Sequence, residues 1–288
     1  MEFEGRLVFF LTTDNVKTSG FIIESDGDEA VLFVHGMGGG FAKDGVLLGS
    51  IKLVERGLAF FTFNTRGADI VKSFKNGRGN RYYVFGTAFE RFEDSARDIK
   101  GAINYIETLG YKKVHLIGHS TGCQKILYYA WKRKDKRVKS LIFLSPSDDY
   151  PIWRESLGDD FDKAVAIAQN MEDRGRGDEI HYFLYKRTGA IWSASRFLSF
   201  GDRDRVEAML FNYDSELDII RKVRLPMLFF FGGSDETLYH DFEFYEKKLK
   251  SSYIGPRIEI LKVPRADHSF HGKEMEVFEK IGEFIDSL

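Results

Sequence analysis

Gly118-His119-Ser120-Thr121-Gly122 follows the apolar run Val114-His115-Leu116-Ile117 and opens the helix-patterned stretch from Cys123 to Trp131. A serine between two glycines, at a strand-to-helix turn, is the arrangement that exposes a nucleophilic hydroxyl above the end of a parallel sheet. The turn is sharp, and a Cβ at either flanking position would collide with neighbouring backbone.

Outward from this turn, strands and helices alternate. Gly5–Leu11 and Lys17–Glu24 are β-rich and separated by the turn-prone Thr12-Thr13-Asp14-Asn15, which predicts an antiparallel hairpin. Ala30–Val34 is apolar throughout, as a strand buried on both faces must be. A helix at Val46–Arg56 stops at Gly57, strand Leu58–Phe63 follows, and after a long loop helix Phe92–Leu109 stops at Gly110. Strands Val114–Ile117 and Val138–Leu144 flank the helix after Ser120. Pro226–Phe231 and Arg257–Val263 come later, with helices at Tyr239–Leu249 and Lys273–Ile285. This order predicts an α/β fold with a mostly parallel sheet of about eight strands and helices on both faces. Residues 148–224 break the alternation with a helical pattern. They are expected to form a cap over the strand ends, on a core of residues 1–147 and 225–288. The alternative is an irregular packed extension with no part in the site.

The 288 residues carry a net charge of −2 and 43% hydrophobic residues, the balance of an ordinary globular protein with a sizeable core. No electrostatic footprint for nucleic acid or an anionic membrane is present. The local basic run Lys132–Arg137 sits at the end of the helix after Ser120, where cations are favourable. The single cysteine, Cys123, excludes an intrachain disulfide and any multi-cysteine metal site, and is expected as a packed thiol. The start of the chain lacks the pattern of a signal peptide, and no apolar run is long enough to span a bilayer. A cytoplasmic protein, monomer or homodimer, is expected.

A serine hydroxyl needs a base to become nucleophilic. His268, within Arg265-Ala266-Asp267-His268-Ser269-Phe270, follows the last predicted strand and falls on the same sheet edge as Ser120; His271 is its competitor. His115, His119, His181 and His240 read as structural, cap or surface residues. A base histidine is oriented by a carboxylate. Asp235 ends the run Met227–Asp235 on the loop after the penultimate strand, with Glu236, Asp148, Asp149 and Asp267 as alternatives. Backbone N–H groups for a developing oxyanion are expected from Thr121 and from Met37, in the glycine-rich turn His35-Gly36-Met37-Gly38-Gly39-Gly40. That turn matches neither phosphate-binding glycine pattern.

With these parts in the order serine, acid, histidine, the chain resembles the α/β-hydrolase superfamily over essentially its whole length. The motif Gly118-His119-Ser120-Thr121-Gly122-Cys123-Gln124, with Asn64-Thr65-Arg66-Gly67 upstream, resembles the fungal, plant and microbial branch that includes siderophore-ester hydrolases. The resemblance implies a serine hydrolase with Ser120, His268 and Asp235 as triad and a helical cap. It requires neither metal nor organic cofactor. The expected partner is a small-molecule ester, with His35, Gly36, His119, Trp153 and Trp192 near the substrate and aromatic or medium-chain acyl groups favoured by the 15% aromatic content. The loop Asn64–Arg91, where Arg66, Lys72, Lys75, Arg78 and Arg81 interleave with aromatics, is either a further substrate contact or a solvated loop. Amide, thioester or acyl-transfer chemistry on the same triad, and a non-catalytic receptor on this scaffold, are the alternative readings. A halide displacement would need an aspartate at position 120.

Overall fold

A computed structural model describes residues 4–288, and in it the fully apolar runs become the middle of one sheet. In chain order its strands are β1 (Arg6–Leu11), β2 (Val16–Ile23), β3 (Glu29–Val34), β4 (Ala59–Phe63) and β5 (Lys72–Asn76). There follow β6 (Tyr82–Phe85), β7 (Lys113–His119), β8 (Val138–Leu144), β9 (Met227–Gly232) and β10 (Ile258–Val263). The order across the sheet is β10-β9-β8-β7-β3-β4-β2-β5-β6, with β1 paired to the other edge of β2. β10, β9, β8, β7, β3 and β4 are parallel to their neighbours in that series, while β1, β2, β5 and β6 pair antiparallel.

The helices are α1 (Asp44–Val54), α2 (Ser95–Thr108), α3 (Thr121–Arg133), α4 (Asp149–Leu157), α5 (Asp160–Asp173) and α6 (Tyr182–Thr188). The remainder are α7 (Ala194–Gly201), α8 (Val206–Leu210), α9 (Asp218–Lys222), α10 (Phe242–Ser252) and α11 (Glu274–Asp286). Side chains alternate across a strand, so each central strand feeds two cores. Leu32, Leu116, Phe143 and Phe229 meet Ile103 of α2, Ile126 of α3 and Leu249 of α10. Val31, Phe33, Ile142 and Phe230 meet Leu53 of α1 with Phe278 and Ile281 of α11.

Two features differ from the sequence reading. The stretch between β4 and α2 contains the β5–β6 hairpin, whose strands are short and exposed and so carry little apolar alternation. Arg66, weighed as a substrate contact there, is buried against Asp98 at 2.7 Å and Asp14 at 3.0 Å, and its charge is spent on the fold. Six helices lie between β8 and β9. Helices α4 to α7 gather a small core of their own around Phe161, Leu184, Phe197 and Phe200. Leu210, Leu217 and Ile220, on and beside α8 and α9, join the core of the main sheet instead.

Buried charge links these parts. Lys125 of α3 and Glu90 lie 2.9 Å apart with neither side chain exposed to solvent. Arg196 of α7 approaches Glu90 at 3.4 Å and Glu207 of α8 at 2.9 Å. Removing one member of such a set leaves an uncompensated charge in a dry interior, which costs far more than the set contributes. Lys125→Met is therefore expected to lower unfolding stability in urea by about 3 kcal/mol, and adding Glu90→Gln to restore part of the loss.

Candidate active site

Four loops meet at the carboxyl edge of the sheet. They follow β3, β7, β9 and β10 and carry His35–Gly40, Ser120, Asp235 and His268 respectively. After β3 the chain steps to β4 on one side, then crosses back to β7 on the other. Such a reversal leaves a crevice above the strand ends, between the β3 and β7 loops.

Ser120 is held there with φ 54° and ψ −130°, a backbone state that a non-glycine residue adopts only when its surroundings enforce it. The flanking glycines supply that enforcement. A Cβ on Gly118 would lie 2.4 Å from the carbonyl oxygen of Gly122, and one on Gly122 would lie 2.1 Å from that of Val34. Gly36 also comes too close for a side chain, its missing Cβ falling 2.8 Å from Ser120 Cβ. The β3 loop thus lies directly against the serine. Thr121 opens α3, where the first N–H groups of a helix have no intrahelical acceptor.

His268 Nδ1 lies 3.1 and 3.2 Å from the two carboxylate oxygens of Asp235. Thr237 donates to Asp235 Oδ1 from its backbone N–H at 2.9 Å and from its hydroxyl at 2.8 Å. The same hydroxyl stands 3.0 Å from His268 Nδ1. Burial disfavours the Asp235 anion, but the His268 and Thr237 contacts outweigh it and bring the carboxyl down to about 2. Glu236 accepts the backbone N–H of His268 at 3.3 Å. Among the described residues Ser120 Oγ makes no hydrogen bond to the His268 ring, whose contacts run through Nδ1. Such bonds are commonly long before substrate binds.

The other histidines are occupied elsewhere. His271 pairs with Asp267 at 2.7 Å, its side chain 76% exposed. His115 is buried between Glu29 and Ser140. His181 caps α6 and reaches the Ala164 carbonyl, and His240 stacks on Phe244. His35, expected beside the substrate, is fully enclosed: Nε2 meets the Thr65 backbone N–H at 3.0 Å and Nδ1 lies 2.8 Å from the Gly36 carbonyl. It supports the β3 loop from below rather than touching a ligand. Burial, with the Lys125 ammonium adding to it, lowers its pKa to about 4. His119 is also buried, its Nε2 2.9 Å from the backbone carbonyl of His268. Burial, with Lys43 and His268 adding to it, lowers this ring to about 3; as a neutral imidazole it ties the elbow to the His268 loop.

Trp153 and Trp192 pack edge to face 4.9 Å apart within the α4–α7 core. Met37 joins that same cluster, which places these helices over the β3 loop. Cys123 is a buried thiol against the Gly118 carbonyl at 3.1 Å, and burial drives its pKa up, away from reactivity.

Two groups escaped the sequence reading. Thr237 stands two residues past Asp235, where an aspartate can accept from the backbone just ahead of it; that local turn was the available signal. Asp149 was weighed only as an alternative acid. Its Oδ2 is sealed from solvent without a hydrogen-bond partner. Burial, then the nearby Glu207 and Asp148 carboxylates, raises its pKa to about 7. The folded protein therefore retains this proton between the ordinary carboxyl value of 3.8 and about 7, and loses stability as pH rises through that window. Asp149→Asn is expected to raise the urea midpoint at about pH 8 and to leave it nearly unchanged at about pH 4.

A family model described as the alpha/beta hydrolase fold matches residues 29–238. Solved structures that cover nearly all of this chain include the following three. Siderophore hydrolase EstB from Aspergillus fumigatus is 16% identical with a TM-score of 0.71, over 99% of this chain and 98% of that one. Est1E from Butyrivibrio proteoclasticus, with ferulic acid bound, is 17% identical with a TM-score of 0.65, over 97% and 98%. Esterase Pf2001 from Pyrococcus furiosus is 19% identical with a TM-score of 0.60, over 99% and 91%. A search of curated proteins found no match.

Proposed function

Because the chain belongs to the α/β hydrolase fold family, we propose that it cleaves a carboxylic ester through an acyl-enzyme formed on Ser120. The observation that carries this reading is the Asp235–His268 contact at 3.1 Å, on the sheet edge where a strained serine elbow stands against a glycine-rich loop.

In this mechanism His268 takes the Ser120 proton as the hydroxyl attacks the ester carbonyl, then delivers it to the leaving alcohol. Asp235 holds the imidazole by Nδ1 and stabilises its charged form. The backbone N–H groups of Met37 and Thr121 receive the oxyanion. Water, activated by His268 in the second half-reaction, releases the acid and regenerates the serine.

The helices between β8 and β9 act as a cap. Their aromatic core around Trp153, Trp192 and Phe200, joined by Met37, supports an acyl group that is aromatic or of medium chain length. The bound ferulic acid of Est1E and the siderophore hydrolase activity of EstB belong to those proteins; they accord with ester substrates here.

Initial rates on p-nitrophenyl esters from acetate to palmitate test the proposal. Turnover is expected to peak at a medium chain length and to fall on the order of 10⁶-fold in Ser120→Ala. Asp235→Asn is expected to cost about 10⁴-fold while leaving the fold intact. Equal rates for the native protein and Ser120→Ala would exclude the serine from the chemistry.

A further inference from the structure

A cleft of about 910 Å³ opens between α1 and α11, on the far side of the elbow; it reaches His119 but not Ser120. Its walls are apolar, with Val46 and Leu47 from α1 facing Val277 and Phe278 from α11 over Phe33 and Leu144. At its upper end stands Lys43, the residue before α1.

The charges around Lys43 decide what the cleft accepts. Burial lowers the Lys43 pKa, and among the described side chains no carboxylate forms an ion pair with it. Glu274 also lines the cleft. Its Oε1 lies 2.7 Å from where a Cβ on Gly45 would stand, so it sits at the first turn of α1, where the positive end of the helix favours it. His271 is paired with Asp267, and burial keeps His119 neutral. A partly desolvated ammonium at one end of an apolar cleft complements an amphiphile with an anionic head.

We propose that this cleft is a second, non-catalytic binding site for a medium-chain carboxylate, held at Lys43 with its chain between α1 and α11. That the ligand is the acid released by the enzyme itself rests on the ester hydrolysis proposed above; the site does not.

Occupancy has a direct route to the chemistry. His119 lines the cleft and holds the His268 backbone carbonyl at 2.9 Å. Ser269 and Phe270, which follow His268, line it as well. A ligand there presses on the segment that aims the base, so the acid inhibits turnover without occupying the place of the ester.

Octanoate titrated calorimetrically into the Ser120→Ala protein reads binding without turnover, and variants of Lys43 and Leu47 assign the event to the cleft. One saturable event per chain is expected, with 1-octanol at least about tenfold weaker. Lys43→Met, whose side chain makes no cap bond to α1, is expected to weaken octanoate about tenfold or more and to leave 1-octanol unchanged. Leu47→Trp, checked for folding by circular dichroism, obstructs the cleft between α1 and α11 where the chain would lie and is expected to abolish both. In the native enzyme octanoate is expected to inhibit p-nitrophenyl acetate hydrolysis non-competitively, an effect lost in Leu47→Trp. Absence of saturable binding, equal binding of the alcohol, or indifference to Lys43→Met overturns the site. So does purely competitive inhibition that Leu47→Trp leaves intact. A protein that turns over no ester refutes the hydrolase reading, and the calorimetry still decides the cleft.

Discussion

Gly122 sets the first turn of α3 against the carbonyl of Val34, at a separation that admits no side-chain carbon. That approach fixes how far the helix descends onto the end of β3, and so how sharply the chain must bend at Ser120. The bend forces the serine to a positive φ, and Gly36 lays the β3 loop over it from the other side. Parallel neighbours β3 and β7 would splay at their ends if either glycine carried a methyl group. The crevice at the reversal of strand order is therefore shaped by backbone contacts, before any polar side chain is considered.

Around that crevice the protein handles charge in two ways. Asp235 is ionised and fully engaged, receiving bonds from Thr237 and lying against His268. His35 and His119 are instead kept neutral by burial and serve as hydrogen-bonding struts, one beneath the β3 loop and one behind the His268 loop. Three imidazoles within one site thus carry distinct tasks because their solvation and partners differ, in line with the way environments separate titratable groups.

Much of this was legible in the chain. Central strands such as Ala30–Val34 and Val138–Leu144 are apolar without interruption because both of their faces are covered, and local pattern reports that directly. The juxtaposition of Asp235 with His268 follows from each residue standing just after a strand, given a parallel sheet. Pattern failed where long-range partners decide. Arg66 looked like a surface cation because its partners Asp98 and Asp14 lie 32 and 52 residues away. His35 looked like a substrate contact because it opens the glycine-rich turn, whereas its ring is enclosed and bonded to the Thr65 backbone. The β5–β6 hairpin is half-solvated, so no apolar alternation marks it.

The buried ions that join α7 to the rest of the molecule restrict how the site can open. Arg196 holds carboxylates from outside its own helix on two sides, Glu90 before α2 and Glu207 on α8, and Ser193 at the head of α7 donates its N–H to the Ala88 carbonyl. A swing of α4 to α7 as one body would draw a guanidinium out of a dry cage and leave the Glu207 carboxylate buried without its partner. Helices α4 to α6 share their core with α7 through Phe161, Leu184, Phe197 and Phe200, and Arg203 holds Asp148 at the head of α4 at 2.7 Å. The whole α4–α7 layer is thus anchored through α7, which stands as a fixed doorpost beside the site.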